Sequence, residues 1–207
     1  MALGTVIRSF AAPAGFPAGL AWNGLTLWHC DREAKTIYLL DLRDGTVKMS
    51  FSAPSTQPLD LAWDGRTLWL IDDTTDLIYQ VDPRDGSVIR SFASPAFQAL
   101  GITHDGVTLW TTDGITDLIY QLDPRDGSVI QSFASPGSKP RALAWDGRSL
   151  WLADNAAVLV YQLDPRDGSL IQSFTTPAAD PLGVAFDGLT LWHCEPTGDL
   201  IYQLSMV

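Results

Sequence analysis

The chain has 207 residues, 46% of them hydrophobic and 18% charged, with a formal net charge of −11. This is the composition of a globular chain long enough for one well-buried domain, and it excludes a disordered one. The acidic excess argues against nucleic acid or an anionic membrane as partner, because both are held by clustered Lys and Arg, and no apolar run approaches the roughly 18 residues of a membrane helix.

The first predicted element is a strand at Thr5–Phe10 in the opening MALGTVIRSF, which has neither the basic nor the apolar region of a signal peptide. Localisation stays open. From there the chain repeats itself. Gly4, Gly45, Gly86, Gly127 and Gly168 are each 41 residues apart, and five such units account for nearly the whole sequence. A period of about 40 residues belongs to a propeller or a helical solenoid.

Turn chemistry decides for strands. The second unit reads as strand A at Pro58–Trp63, B at Thr67–Asp72, C at Leu77–Asp82 and D at Ser87–Phe92, all rich in β-branched and aromatic residues. Asp64-Gly65 between A and B is a strong hairpin signal, repeated at Asp105, Asp146 and Asp187, with Asn23-Gly24 in the first unit. The turn Asp82-Pro83-Arg84-Asp85-Gly86 joins C to D, with proline presetting φ and glycine taking the positive-φ position. No window has the 3.6-residue period of a helix. The last predicted strand, Leu200–Leu204, is of type C and no D strand follows it. The D-type strand at Thr5–Phe10 is therefore expected to complete the final blade. The expectation is an all-β, five-bladed propeller of four antiparallel strands per blade, one domain over residues 1–207.

Each unit has a tryptophan on strand B: Trp28, Trp69, Trp110, Trp151 and Trp192. The aromatic position of strand A holds Trp22, Trp63, His104, Trp145 and Phe186. Both ladders are expected in the core between blades, as are the strand D phenylalanines, rather than as sugar-stacking platforms. Gly19, Gly101, Ala142 and Gly183 mark where strand A crowds the axis, a series that Asp60 interrupts. Acids end strand B at Asp31, Asp72, Asp113, Asp154 and Glu195. A cation between them is conceivable, but bonds to the backbone of the following loop are the expected role. His29-Cys30 and His193-Cys194 have zinc-like composition, yet adjacent strand residues point to opposite faces, so free thiols and no metal are expected.

The units agree in their A–B and C–D turns and differ in their D–A and B–C loops, which should share the opposite face. A ligand site is expected there, around the mouth of the axis. Its candidate residues are Asp60, Lys139, Arg141, Asp180, Arg32, Asn155 and His104. His104 replaces a tryptophan and is expected as a hydrogen-bonded core histidine, with ligand contact the alternative. No catalytic set, metal-ligand set or cofactor motif is legible.

The phrase LAWDGRTLWL…DLIYQVDPRDGSVIRSFASP resembles the repeats of bacterial propellers of the NHL, YncE and glutamine-cyclotransferase-like kind, over the whole chain. Those usually have six or seven blades. The resemblance implies the fold. It includes streptogramin lyases and gluconolactonases, whose His, Glu and Asn sets have no counterpart pattern here. The leading functional expectation is a monomeric, non-catalytic propeller that presents its variable face to a small molecule, glycan or protein. The alternatives are an enzyme with a metal-assisted site in the axial channel, lyase- or lactonase-like, and a purely structural or engineered symmetric scaffold.

Overall fold

The computed structural model describes residues 1–207. All twenty elements are strands, in five antiparallel four-stranded sheets. β1 (Val6–Ala11) opens the chain. Blade one follows as β2 (Pro17–Trp22), β3 (Leu27–Asp31), β4 (Thr36–Leu40) and β5 (Val47–Ser52). Blade two is β6 (Pro58–Trp63), β7 (Leu68–Asp72), β8 (Leu77–Val81) and β9 (Val88–Ala93). Blade three is β10 (Ala99–His104), β11 (Leu109–Asp113), β12 (Leu118–Leu122) and β13 (Val129–Ala134). Blade four is β14 (Pro140–Trp145), β15 (Leu150–Asp154), β16 (Leu159–Leu163) and β17 (Leu170–Thr175). Blade five is β18 (Gly183–Phe186), β19 (Leu191–Glu195) and β20 (Leu200–Leu204), with β1 as its outer strand.

The closure expected from the strand count is present. β1 pairs antiparallel with β20, matching Ser9 to Tyr202 and Phe10 to Ile201. Side-chain packing repeats the point. In blades one to four the strand B tryptophan meets the phenylalanine of its own outer strand, as Trp69 does Phe92 at 5.8 Å between ring centres. In blade five the partner of Trp192 is Phe10, also at 5.8 Å.

The strand B tryptophans are core, with Trp69 and Trp110 only 1% exposed. Those of blades two to five are anchored by the hairpin turn before them. One oxygen of Asp64 accepts the N–H groups of Arg66 and Thr67, and the other accepts the Thr67 hydroxyl and the Trp69 indole N–H at 2.9 Å. Asp105, Asp146 and Asp187 do the same for Trp110, Trp151 and Trp192, each at 2.8 Å. Burial alone would raise these carboxyls, but the bonds outweigh it and hold them below their ordinary range. The second turn is tied to the neighbouring blade. Gly86 has φ +77°, and a side chain there would strike the ring of Phe51 in the preceding blade. Glycine is needed twice over, for its conformation and for the close approach.

The strand A aromatics depart from expectation. Trp22, Trp63, His104, Trp145 and Phe186 are half-buried and ring the axis at its turn-face mouth. A six-residue strand spans about 20 Å, so its last residue emerges at the far end of the channel while its middle crowds the axis. The crowding is real. A Cβ on Gly183 would lie 2.9 Å from Ala18 O and 3.0 Å from Gly19 Cα.

Blade one breaks the tryptophan anchor. Asn23 accepts from Leu25, Thr26 and the Thr26 hydroxyl through its one oxygen, and the buried Trp28 indole N–H has no acceptor. Asn23→Asp supplies the missing oxygen and should stabilise by about 1–2 kcal/mol, raising Tm by roughly 2–6 °C; an unchanged or lower melting temperature would refute the anchor. Removing residues 1–12 leaves β20 with an open edge, so the shortened chain should dimerise or aggregate in light scattering. A stable monomer would show that β1 is dispensable.

Candidate functional site

The loop face is built by the acids that end strand B. Asp31 accepts Phe16 N–H at 2.8 Å with one oxygen and Ala34 N–H at 2.7 Å with the other, fastening the loop before strand A to the loop after strand B. Asp72 joins Gln57 to Thr75 at 2.7 and 2.9 Å, Asp113 joins Gln98 to Thr116 at 2.8 and 2.7 Å, and Asp154 joins Lys139 to Ala157 at 2.9 and 2.7 Å. Each side chain is fully committed to backbone N–H groups, as the sequence reading expected. Burial would raise the Asp72 carboxyl, yet hydrogen bonds including those of Gln57 and Thr75 bring it below its ordinary value. Blade five differs. Glu195 folds back on Thr197 at 2.8 Å and Gly198 at 3.0 Å. The preceding loop instead meets the sheet through Leu182 N–H on Cys194 O at 3.2 Å, and β18 starts two residues later than its counterparts.

On this scaffold Arg32, Arg141 and Asp180 come together at the loop-face mouth of the axis, walled by Phe16, Ala18, Leu59, Leu100 and Leu182. The cavity is about 60 Å³. Small-molecule pockets run to roughly 300–1,000 Å³, so this one admits a head group rather than a whole substrate. Arg32 is held in place: its Nε donates to Gln57 Oε1 at 2.6 Å, its Nη2 to Asp73 at 3.2 Å, and its guanidinium lies 5.7 Å from the Phe16 ring centre. Asn155 donates its side-chain amide to Asp180. Arg141 takes part in none of the chain's six ion pairs and is half-buried with its guanidinium unpartnered.

The other predicted residues lie elsewhere. The Lys139 side chain is exposed and outside the mouth, and its backbone N–H goes to Asp154. Asp60 is 0% exposed on the axis. Its two oxygens accept the inner-edge N–H groups of Leu20 at 3.3 Å in blade one and Ile102 at 2.9 Å in blade three. Burial pushes its carboxyl well above the usual range, against the backbone bonds that lower it. Asp60 is thus an internal plug between the two mouths. His104, expected on the loop face, ends β10 and sits at the opposite mouth, where its Nδ1 accepts Gly106 N–H at 3.1 Å. That mouth encloses about 70 Å³.

The His-Cys pairs are core. Cys30 and Cys194 are free and buried; burial, with Asp60 next in weight, raises both thiols and leaves them inert. His29 and His193 are fully buried, stacked on Tyr38 and Tyr202 at 5.9 Å. Each Nδ1 meets a strand A carbonyl, Gly19 O at 3.2 Å and Gly183 O at 3.3 Å, and each Nε2 has no partner. No three His, Cys, Asp or Glu side chains cluster closely enough to hold a metal ion.

No protein-family model matches the chain, and no curated protein matches it in sequence. Solved structures do match in shape. The glutaminyl cyclase of Myxococcus xanthus superimposes with a TM-score of 0.82 at 15% identity, covering 98% of this chain and 97% of that one. The virginiamycin B lyase of Staphylococcus aureus gives 0.58 at 21% identity, over 97% and 70% of the two chains. The hydrazine synthase of Kuenenia stuttgartiensis gives 0.59 at 18% identity, over 93% and 59%. At these identities the likeness establishes the propeller fold and agrees with the resemblance read from the repeat.

The buried histidines carry a pH dependence. Burial lowers both from 6.5 to about 4. Between those values the unfolded chain binds protons that the folded chain refuses, so stability is full above pH 6.5 and falls as pH drops towards 4, by up to about 3 kcal/mol per histidine. Leucine occupies the equivalent place at Leu70 and Leu152. The double variant His29→Leu, His193→Leu should therefore lose less Tm over that interval than the parent. Equal losses would mean that the imidazoles are not buried neutral.

Proposed function

We propose that the chain is a non-catalytic binding propeller whose loop-face mouth takes the anionic head of a small molecule or of a terminal group on a larger partner. The unpartnered Arg141 guanidinium carries this reading. In a chain of net charge −11, a half-buried arginine without a carboxylate is a cation kept free, beside Arg32 already oriented by Gln57 and Asp73. Two guanidiniums over an apolar floor of Leu59, Leu100 and Leu182 match a carboxylate borne on a hydrophobic stem. Neighbouring Asp180, tied to Asn155, would favour a ligand that also offers a hydrogen-bond donor.

The alternative of an axial enzyme draws support from the cyclase and lyase named for the similar structures. The narrow mouths and the committed carboxylates of the strand B acids favour binding instead.

Titration of phenylacetate, followed by backbone amide shifts, tests the site. Shifts should cluster at Phe16, Leu100 and Leu182, and Arg141→Ala should weaken binding at least ~10-fold, the worth of one charge-assisted bond. Arg125→Ala, on the opposite face, should not. Unaltered affinity in Arg141→Ala would sink the assignment.

A further inference from the structure

The turn face holds two hollows several times larger than either mouth. One lies in blade two, about 540 Å³, and one in blade four, about 570 Å³. They are copies of each other. Arg66, Gln80, Asp82, Pro83, Arg84 and Ile89 in the first answer to Arg148, Gln162, Asp164, Pro165, Arg166 and Ile171 in the second. The size is that of a small-ligand cleft.

We propose that these clefts are two equivalent binding sites for an acidic sugar, a uronic acid residue of a glycan. In each, one guanidinium is fixed and one is free. Arg84 and Arg166 pair with Asp82 and Asp164, whereas Arg66 and Arg148 enter no ion pair and stand across the cleft. A carboxylate laid between them meets a planar fork from the free arginine. Both oxygens of each aspartate are already engaged by the main chain and guanidinium of Arg84 or Arg166, so the sugar hydroxyls are left to the free guanidinium and to solvent, and Pro83 with Ile89, or Pro165 with Ile171, gives a nonpolar surface for the face of the ring. The walls are rigid, because Gln80 donates to the Thr67 hydroxyl at 2.8 Å and Gln162 to the Ser149 hydroxyl at 2.7 Å. An aspartate in each cleft and the overall negative charge oppose a dense polyanion such as nucleic acid. A ligand with one carboxylate among several hydroxyls is favoured.

One position separates these two blades from blade three, while blade one also has Leu39, Leu42 and Lys48 in place of Gln80, Pro83 and Ile89, and blade five has Ser205, Met206 and Val207 in place of Asp82, Pro83 and Arg84. The position after the hairpin Asp-Gly is arginine in blades two and four, but Leu25, Val107 and Leu189 in the others. Blade three retains every other member of the set: Gln121, Asp123, Pro124, Arg125 and Ile130. It is an acid-sugar cleft lacking one guanidinium.

Calorimetric titration with trigalacturonate tests this, with its methyl ester as the uncharged control. The parent should bind two equivalents, and the ester at least ~10-fold more weakly. Arg66→Ala should leave one site, and the double variant Arg66→Ala, Arg148→Ala none. Val107→Arg should raise the count to three. Lys139→Ala, which removes an exposed loop-face cation outside the mouth, should change nothing, which separates loss of a cleft from a mere loss of positive charge. Absence of binding by the parent, equal binding of the ester, persistence of both sites in the double variant, or a count of two in Val107→Arg would each overturn it. All the substituted positions are on the surface, so folding is not at stake.

Discussion

Each blade is fastened to its surroundings through the tryptophan of its second strand. The indole fills the space between blades, where burial is worth about 3 kcal/mol. Its one polar atom would be a liability there, and in blades two to five the aspartate of the hairpin turn removes it by accepting the N–H. The outer-strand phenylalanine then covers the ring, and that phenylalanine rests on the turn glycine of the next blade. Turn, core and inter-blade contact are therefore one chain of dependence. This explains why the turn sequences hardly vary between units: a change in the loop is felt in the core.

That coupling also explains what the sequence made legible. A fixed period, Asp-Gly turns and an outer strand displaced to the start of the chain were sufficient to derive the blades, their boundaries to within a residue, and the closure. Arg32, Arg141 and Asp180 could be picked out because they break a repeat. Three things were not readable. The alternation of strand A says which residues are apolar but not which end of the strand meets the axis, so the Trp22, Trp63 and Trp145 ring looked like interior and His104 was assigned to the wrong face. Asp60 stood out as an exception, but its role depends on N–H groups from blades one and three converging on one point. Arg66 and Arg148 were masked by the near-constancy of the face they occupy; comparing the position after Asp-Gly across the units, one residue at a time, would have exposed them.

The two faces use charge differently. On the loop face the carboxylates that end strand B are turned inward and spent largely on backbone amides, which leaves Arg32 and Arg141 as the cations at the mouth. On the turn face aspartates pair with arginines at the rim and leave one cation over in alternate blades. A strongly acidic molecule thus shows small positive features at both ends. Approach by any anion meets long-range repulsion that salt screens within about 10 Å, so contact specificity rather than attraction at a distance must select what binds.

The offset between the 41-residue unit and the blade has an evolutionary reading. The seam of the circle lies inside one sheet, between β1 and β20, rather than at a gap between sheets. Any whole unit gained or lost in the interior of the gene therefore leaves the seam intact, and the two ends still find each other. Copy number is free to change by recombination among near-identical stretches while circularity is inherited, and five blades can then be viewed as one stopping point on a series rather than a fixed property of the lineage.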